Sequence, residues 1–269
     1  MRGLALGYRL PMEISPTAAK TAASLVRVSR KLSRACSALD FEDPVTHVYN
    51  PLEYARASHE VFLKRFGGAF ADSQDGGEPR AILLGMNPGP WGMAQTGIPF
   101  GDVTQCTDWL GIQEPVKKPK HEHPKRLVTG FDCTRNEVSG TRVYEFAAQE
   151  FATPEAFFRR FYIVNYCPLS FMEEGGKNRT PDKLPAEERA PLFEACDHAL
   201  KRTVELLRPS MVVGVGAFAE ACARRVLGPS QVRLDLTFGR VLHPSPASPI
   251  ANRGWAKAAR KDLAGLGLL

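Results

Sequence analysis

Three polar side chains stand where apolar runs stop. Asn87 comes shortly after Ala81-Ile82-Leu83-Leu84, Asn165 directly follows Phe161-Tyr162-Ile163-Val164, and His243 follows Leu242. An amide offers donors and an acceptor without charge, and an imidazole can donate, accept or hold a proton near neutral pH. Taken singly each has a plain structural reading, since an Asn in a turn bonds its own backbone and a His before Pro is a structural residue. If the apolar runs are strands of one parallel sheet, the three converge on a single edge and become the constellation to examine for chemistry.

The first of them lies in a loop built from turn formers. Residues 85–101 read GMNPGPWGMAQTGIPFG. Gly85, Gly89, Gly92, Gly97 and Gly101 allow positive φ and close backbone approach, while Pro88, Pro90 and Pro99 fix φ and remove donors. Such a loop can be rigid without regular hydrogen bonding. It begins at a strand's carboxyl end, where open α/β sheets bind ligands.

The elements that must position these residues follow from periodicity. Ser15 can cap a helix over 15–39 with Leu25, Val28, Leu32, Cys36 and Leu39 on one face, and Arg27, Arg30, Lys31 and Arg34 form a basic stripe read as a solvated face. A second helix is expected from Pro51 to Phe66, and Gly67 to Arg80 reads as a linker into the strand at 81–85. A short helix over 104–110 precedes an irregular basic stretch, Gly111 to Gly130, whose length suggests a functional reason. Helices near 141–151, 186–207, 217–227 and from Asn252 onward alternate with strands at 161–164, 211–215 and 232–242. Residues 1–14 read as a disordered tail and a poor leader peptide. The whole predicts one domain over 15–269, with N-terminal helices at 15–66 and, over 81–269, an α/β/α core on a mainly parallel sheet.

Composition narrows the class. The 269 residues are 43% hydrophobic and 24% charged, with no run long enough to span a membrane. A formal charge of +6 favours polyanionic partners, though weakly. The six cysteines are scattered without a CxxC pair, which argues against a zinc ribbon or an iron-sulfur ligand set and reads as buried reduced thiols.

The loop at 85–101, with VNYCPL at 164–169 and LHPSPASPIANRGW at 242–255, resembles the single-strand-selective monofunctional uracil-DNA glycosylases of the uracil-DNA glycosylase superfamily. YNPLEYA at 49–55, EHPKR at 122–126, EVSG at 137–140 and VVGVG at 212–216 extend the likeness over residues 40–269. The resemblance implies a three-layer α/β/α sandwich around a four-stranded parallel sheet, no metal and no cofactor. It implies hydrolysis of the N-glycosidic bond of uracil and 5-substituted uracils, such as 5-hydroxymethyluracil, in single- and double-stranded DNA, leaving an abasic site without lyase chemistry. By resemblance Asn87 holds the attacking water, and His243 donates to uracil O2 as charge builds there. Asn165 reads the O4 and N3 edge, Phe100 stacks on the flipped base, and Met86 and Gly89 line the pocket, Gly89 leaving space beside C5. No carboxylate pair of the glycosidase type is evident.

A base taken out of the stack leaves a gap, and Pro244, Ser245, Pro246, Ala247, Ser248, Pro249 and Asn252 form the candidate wedge, with Arg253 placed to meet phosphate. Ala247 stands where animal members carry a larger basic residue. Lys125 and Arg126 are candidate backbone contacts. The expected partner is DNA containing uracil or modified uracil, the expected state a monomer, and the expected place the cytoplasm of a bacterium or the nucleus of a eukaryote. A related glycosylase acting on deaminated purines or mispaired bases, and an inert DNA-binding module, stand as alternatives.

Overall fold

The computed structural model describes residues 13–73, 77–228 and 235–269. Helix α1 (Pro16–Ser37) starts at Ser15, whose side chain accepts from the Ala18 N–H, with Pro16 in the first turn. Strand β1 (His47–Tyr49) leads into short helical segments at Pro51–Tyr54 and Arg56–Phe62, the latter continuing through a π-helical turn, Leu63–Gly67, to Gly68–Asp72. Strand β2 (Ala81–Gly85) follows, then α2 (Val138–Phe151), a helical segment Pro154–Arg160, and β3 (Phe161–Asn165). Two short strands, β4 (Ser170–Met172) and β5 (Asn178–Arg179), precede α3 (Ala186–Leu207) and β6 (Met211–Val215). The chain ends with α4 (Ala217–Leu227), β7 (Thr237–Val241) and α5 (Trp255–Gly265).

The central sheet has four strands in the order β3-β2-β6-β7, all parallel. Three of its strands, β3, β2 and β6, are near-continuous apolar runs because both faces are covered, while the edge strand β7 exposes Thr237 and Arg240. Phe161 stacks on Phe157 and meets Phe151 on one face, while Tyr162, the next residue, packs on Phe62 and Phe70 on the other. That alternation makes three layers of the fold. The register pairs Gly85 with Asn165, so the two carboxyl ends lie side by side.

Several expectations shift. The expected linker after Gly67 is helical as far as Asp72, and Gly68, Ala69, Phe70 and Ala71 are buried. A Cβ at Gly67 would come 2.5 Å from Leu25 Cδ1 on α1, so the Leu25 side chain would have to shift to admit one. Ile14, placed in the tail by sequence, packs on the core; residues 1–12 lie outside the described residues. The last strand is shorter than expected, beginning at Thr237, and positions 232–234 are also outside the described set. Among the elements with no counterpart in the sequence reading are the helix Pro154–Arg160 and an antiparallel sheet in the order β1-β4-β5. Strands of two or three residues are too short to show alternation. Among the described residues no helix is long and apolar enough to cross a membrane, and no group of His, Cys, Asp or Glu could hold a metal ion.

Candidate active site

Asn87, Asn165 and His243 open onto one cleft of about 380 Å³, together with Met86, Gly89, Phe100, Ser245 and Pro246. Each is delivered by a strand end: Asn87 just past β2, Asn165 as the last residue of β3, His243 just past β7. Gly85 makes their approach possible. A Cβ there would overlap Asn165 Oδ1 and lie 2.7 Å from Phe100 Cε2.

Hydrogen bonds fix which polar atoms face the cleft. Asn87 Nδ2 donates to the Leu169 carbonyl at 3.1 Å, so its oxygen is the end left free to accept. The Ser245 backbone N–H donates to His243 Nδ1 at 3.1 Å, which makes Nδ1 the acceptor and leaves the ring proton of the neutral imidazole on Nε2. Burial holds the His243 pKa below its ordinary value. Asn165, only 9% exposed, donates from Nδ2 to Met93 Sδ at 3.3 Å. A thioether is a weak acceptor, so a stronger one can claim that amide.

The 85–101 loop is rigid for reasons its prolines only begin to explain. Its carbonyls are tied by buried side chains: Tyr54 Oη donates to Ala94, His59 Nδ1 to Gly97 at 2.8 Å, and Tyr144 Oη to Pro99 at 2.8 Å. Desolvation pushes the His59 pKa down to about 4, so this ring is a neutral donor. Gln95 Oε1 accepts from Thr129 and Gly130 and its Nε2 donates to Leu127, joining the loop to the basic stretch 111–130. Of the five glycines from 85 to 101 only Gly97 has positive φ, while Phe100 takes φ 56°. The others serve close approach.

The space beside Gly89 is not open, contrary to the sequence reading. The Glu137 carboxylate fills it, and a Cβ on Gly89 would overlap Glu137 Oε2. Burial raises the Glu137 pKa, opposed by hydrogen bonds from the Trp91 and Ser139 backbone. Glu137, Ser139, Asn178 and Thr180 all line the cleft and were not singled out from sequence. EVSG at 137–140 carried the signal for the first two.

The candidate wedge is a braced projection. The Ala247 N–H bonds Ser245 Oγ at 3.1 Å, and Ser248 caps the short helix Pro249–Asn252. Arg142 on α2 donates to the Pro244 carbonyl at 2.9 Å and to Asn252 Oδ1 at 2.8 Å, while Asn252 Nδ2 donates to the Pro246 carbonyl. Both ends of the Asn252 amide are therefore engaged internally. Pro244 is buried, Ala247 and Pro249 are exposed, and Arg253 sits in the turn before α5. The most exposed large apolar residue of the segment is Ile250, at 61%, which sequence reasoning passed over. Exposed Lys125 and half-buried Arg126 lie outside the cleft lining.

Comparison with known proteins gives the family. The profile of the Uracil DNA glycosylase superfamily matches residues 73–264. The single-strand selective monofunctional uracil DNA glycosylase of Mus musculus is 43% identical over 96% of this chain and 89% of its own length, and that of Bos taurus is 43% identical over 96% and 91%. At this coverage the likeness extends into α1, beyond the residues from which it was read in the sequence. A solved structure titled as wild-type Pedobacter heparinus SMUG2 has the same fold, with TM-score 0.59 and 21% identity over 89% of this chain and 96% of that one. A parallel sheet with two amides and an imidazole on its carboxyl edge, and relatives this similar along nearly the whole sequence, place this chain in the uracil-DNA glycosylase superfamily.

Proposed function

We propose that this protein is a monofunctional DNA glycosylase that hydrolyses the bond between uracil N1 and the deoxyribose C1′. The observation that carries the reading is the pair of fixed polar ends facing one cleft, the Asn87 oxygen and the His243 Nε2–H. As the bond breaks, its electron pair goes to uracil and C1′ becomes oxocarbenium-like. His243 donates from Nε2 to O2 of the departing anion, and Asn87 accepts a hydrogen bond from the water that adds to C1′. A neutral amide suffices to orient water because the electrophile is strong. The water's second proton leaves to solvent or to the uracil anion.

Asn165 reads the base by donating to O4 and accepting from N3–H; cytosine reverses both, leaving buried polar groups unpaired. Phe100 stacks on the base. The substrates extend to 5-hydroxymethyluracil, whose hydroxyl meets an acceptor in the Glu137 carboxylate beside Gly89. Among the described residues no lysine lines the cleft, in keeping with release of the base without a Schiff-base intermediate. Ile250 at the tip of the braced segment is the side chain suited to fill the gap in the stack.

The test is an oligonucleotide panel carrying uracil, 5-hydroxymethyluracil, thymine, xanthine or hypoxanthine, single-stranded and duplex, followed by alkali. Strand breaks are expected at the first two bases. Asn87→Ala is expected to lower uracil release by roughly 10²–10⁴-fold, the range for a group that positions a reacting water. Unchanged release in that variant defeats the mechanism.

A further inference from the structure

Trp91 lies just outside the cleft and has no part in the chemistry above. It is half-buried, two residues past Gly89 in the site loop. Two guanidinium groups from different parts of the chain approach its ring: Arg126 Cζ is 5.2 Å from the centroid and Arg135 Cζ 4.7 Å. Both arginines lack a carboxylate partner among the described residues, whereas Arg30, Arg65, Arg160, Arg179 and Arg225 each have one. Arg126 donates from one terminal nitrogen to the Lys125 carbonyl, and its buried Nε has no partner.

A buried donor without an acceptor is costly, so the Arg126 Nε points to an absent acceptor, and the two cations beside it suit an anionic one. A guanidinium held over an aromatic ring keeps its N–H edges free, and their fork matches two oxygens of a phosphate. The Glu137 carboxylate accepts from the Trp91 and Ser139 backbone N–H groups. That bond also fixes the loop at Trp91. Exposed Lys125 adds charge beside Arg126.

We propose that Trp91, Arg126 and Arg135 form a second nucleic-acid subsite, which holds the phosphate and base of the nucleotide adjacent to the extruded one on a single DNA strand. The proposal rests on the cleft being the uracil pocket. Two residues of chain span at most about 7 Å, so Trp91 can serve only an immediate neighbour of the base held at Gly89. An aromatic ring with guanidinium planes over it suits a single strand, whose exposed base faces stack on rings and guanidinium planes alike, and stacking of this kind is tolerant of sequence.

The experiment measures binding of oligonucleotides carrying 2′-fluoro-2′-deoxyuridine, whose glycosidic bond resists cleavage, across a salt series. Arg135→Gln, at an exposed position, is expected to weaken single-strand binding roughly 5- to 10-fold and to reduce the slope of log Kd against log salt by about 0.7, one phosphate contact. Trp91→Ala is expected to weaken it roughly 10-fold. Trimming the strand up to the uracil from one end then costs the wild type that same factor and costs Trp91→Ala almost nothing. Wild-type affinity and slope in both variants overturn the proposal, as does equal loss on trimming in wild type and variant, or a loss seen with duplex alone. A wild type that binds through these residues but releases no uracil from the same oligonucleotide carrying unmodified deoxyuridine defeats the uracil reading and leaves the subsite standing.

Discussion

The His243 ring is held in one tautomer by a backbone group that cannot change its own protonation. With the Ser245 N–H pointing at Nδ1, protonating that nitrogen would set two donors face to face, and burial already disfavours the cation. The folded pKa is therefore depressed, and the stability tied to the neutral ring is present above the ordinary imidazole value and lost as pH falls through the folded one. Nitrogen-resolved NMR should show the Nε2–H tautomer at pH 7 and a titration midpoint below about 6.5; a midpoint above that, or the Nδ1–H form, contradicts the role given to Nε2. His243→Ala is expected to cost about 10²–10³ in release rate, as loss of one aimed donor does. Asn87, Asn165 and His243 were legible in the sequence because each closes or closely follows an apolar run, and strand ends converge in a parallel sheet. Glu137 was not, because its importance is a contact with Gly89, nearly fifty positions away, that no local pattern encodes.

At the scale of elements, α2 does more than cover the sheet. Gly140 in its first turn lies against the Phe100 carbonyl so closely that a Cβ would overlap that oxygen, and Arg142 two residues on clamps the segment after His243. One helix thus holds both the Phe100 backbone and the segment after His243, two parts of the cleft lining. Gly140→Ala must push on backbone that cannot yield like a side-chain tip. It is expected to cost about 1–3 kcal/mol in denaturant-derived stability and to lower uracil release in the surviving folded fraction by displacing Phe100. A stable variant with wild-type release removes this account. The helices at 186–207 and 217–227 were plain from their apolar period and terminating residues. What ties the 85–101 loop down was not, since Tyr54, His59 and Tyr144 read as ordinary core aromatics until their polar atoms are seen on its carbonyls.

At the scale of the molecule, the N-terminal helix decides whether the chain is a core with an appended arm or one body. Ala18, Ala22, Leu25, Val26 and Cys36 of α1 are buried, and Leu25 packs tightly against Gly67. The basic stripe points elsewhere: Arg30 pairs with Glu60 through two hydrogen bonds, Arg27 donates to Ser24, and Arg34 is exposed. Burying Leu25 and Val26 alone is worth about 3–6 kcal/mol, against a net stability of about 5–15 kcal/mol for a typical protein. Removal of residues 1–39 is therefore expected to abolish the cooperative thermal transition, with uracil release lost on every substrate together. Arg27→Gln with Arg34→Gln is expected to leave Tm and the salt dependence of DNA binding within error of wild type. A truncated chain that melts like the full one while losing only DNA affinity makes α1 an arm instead of a wall of the core.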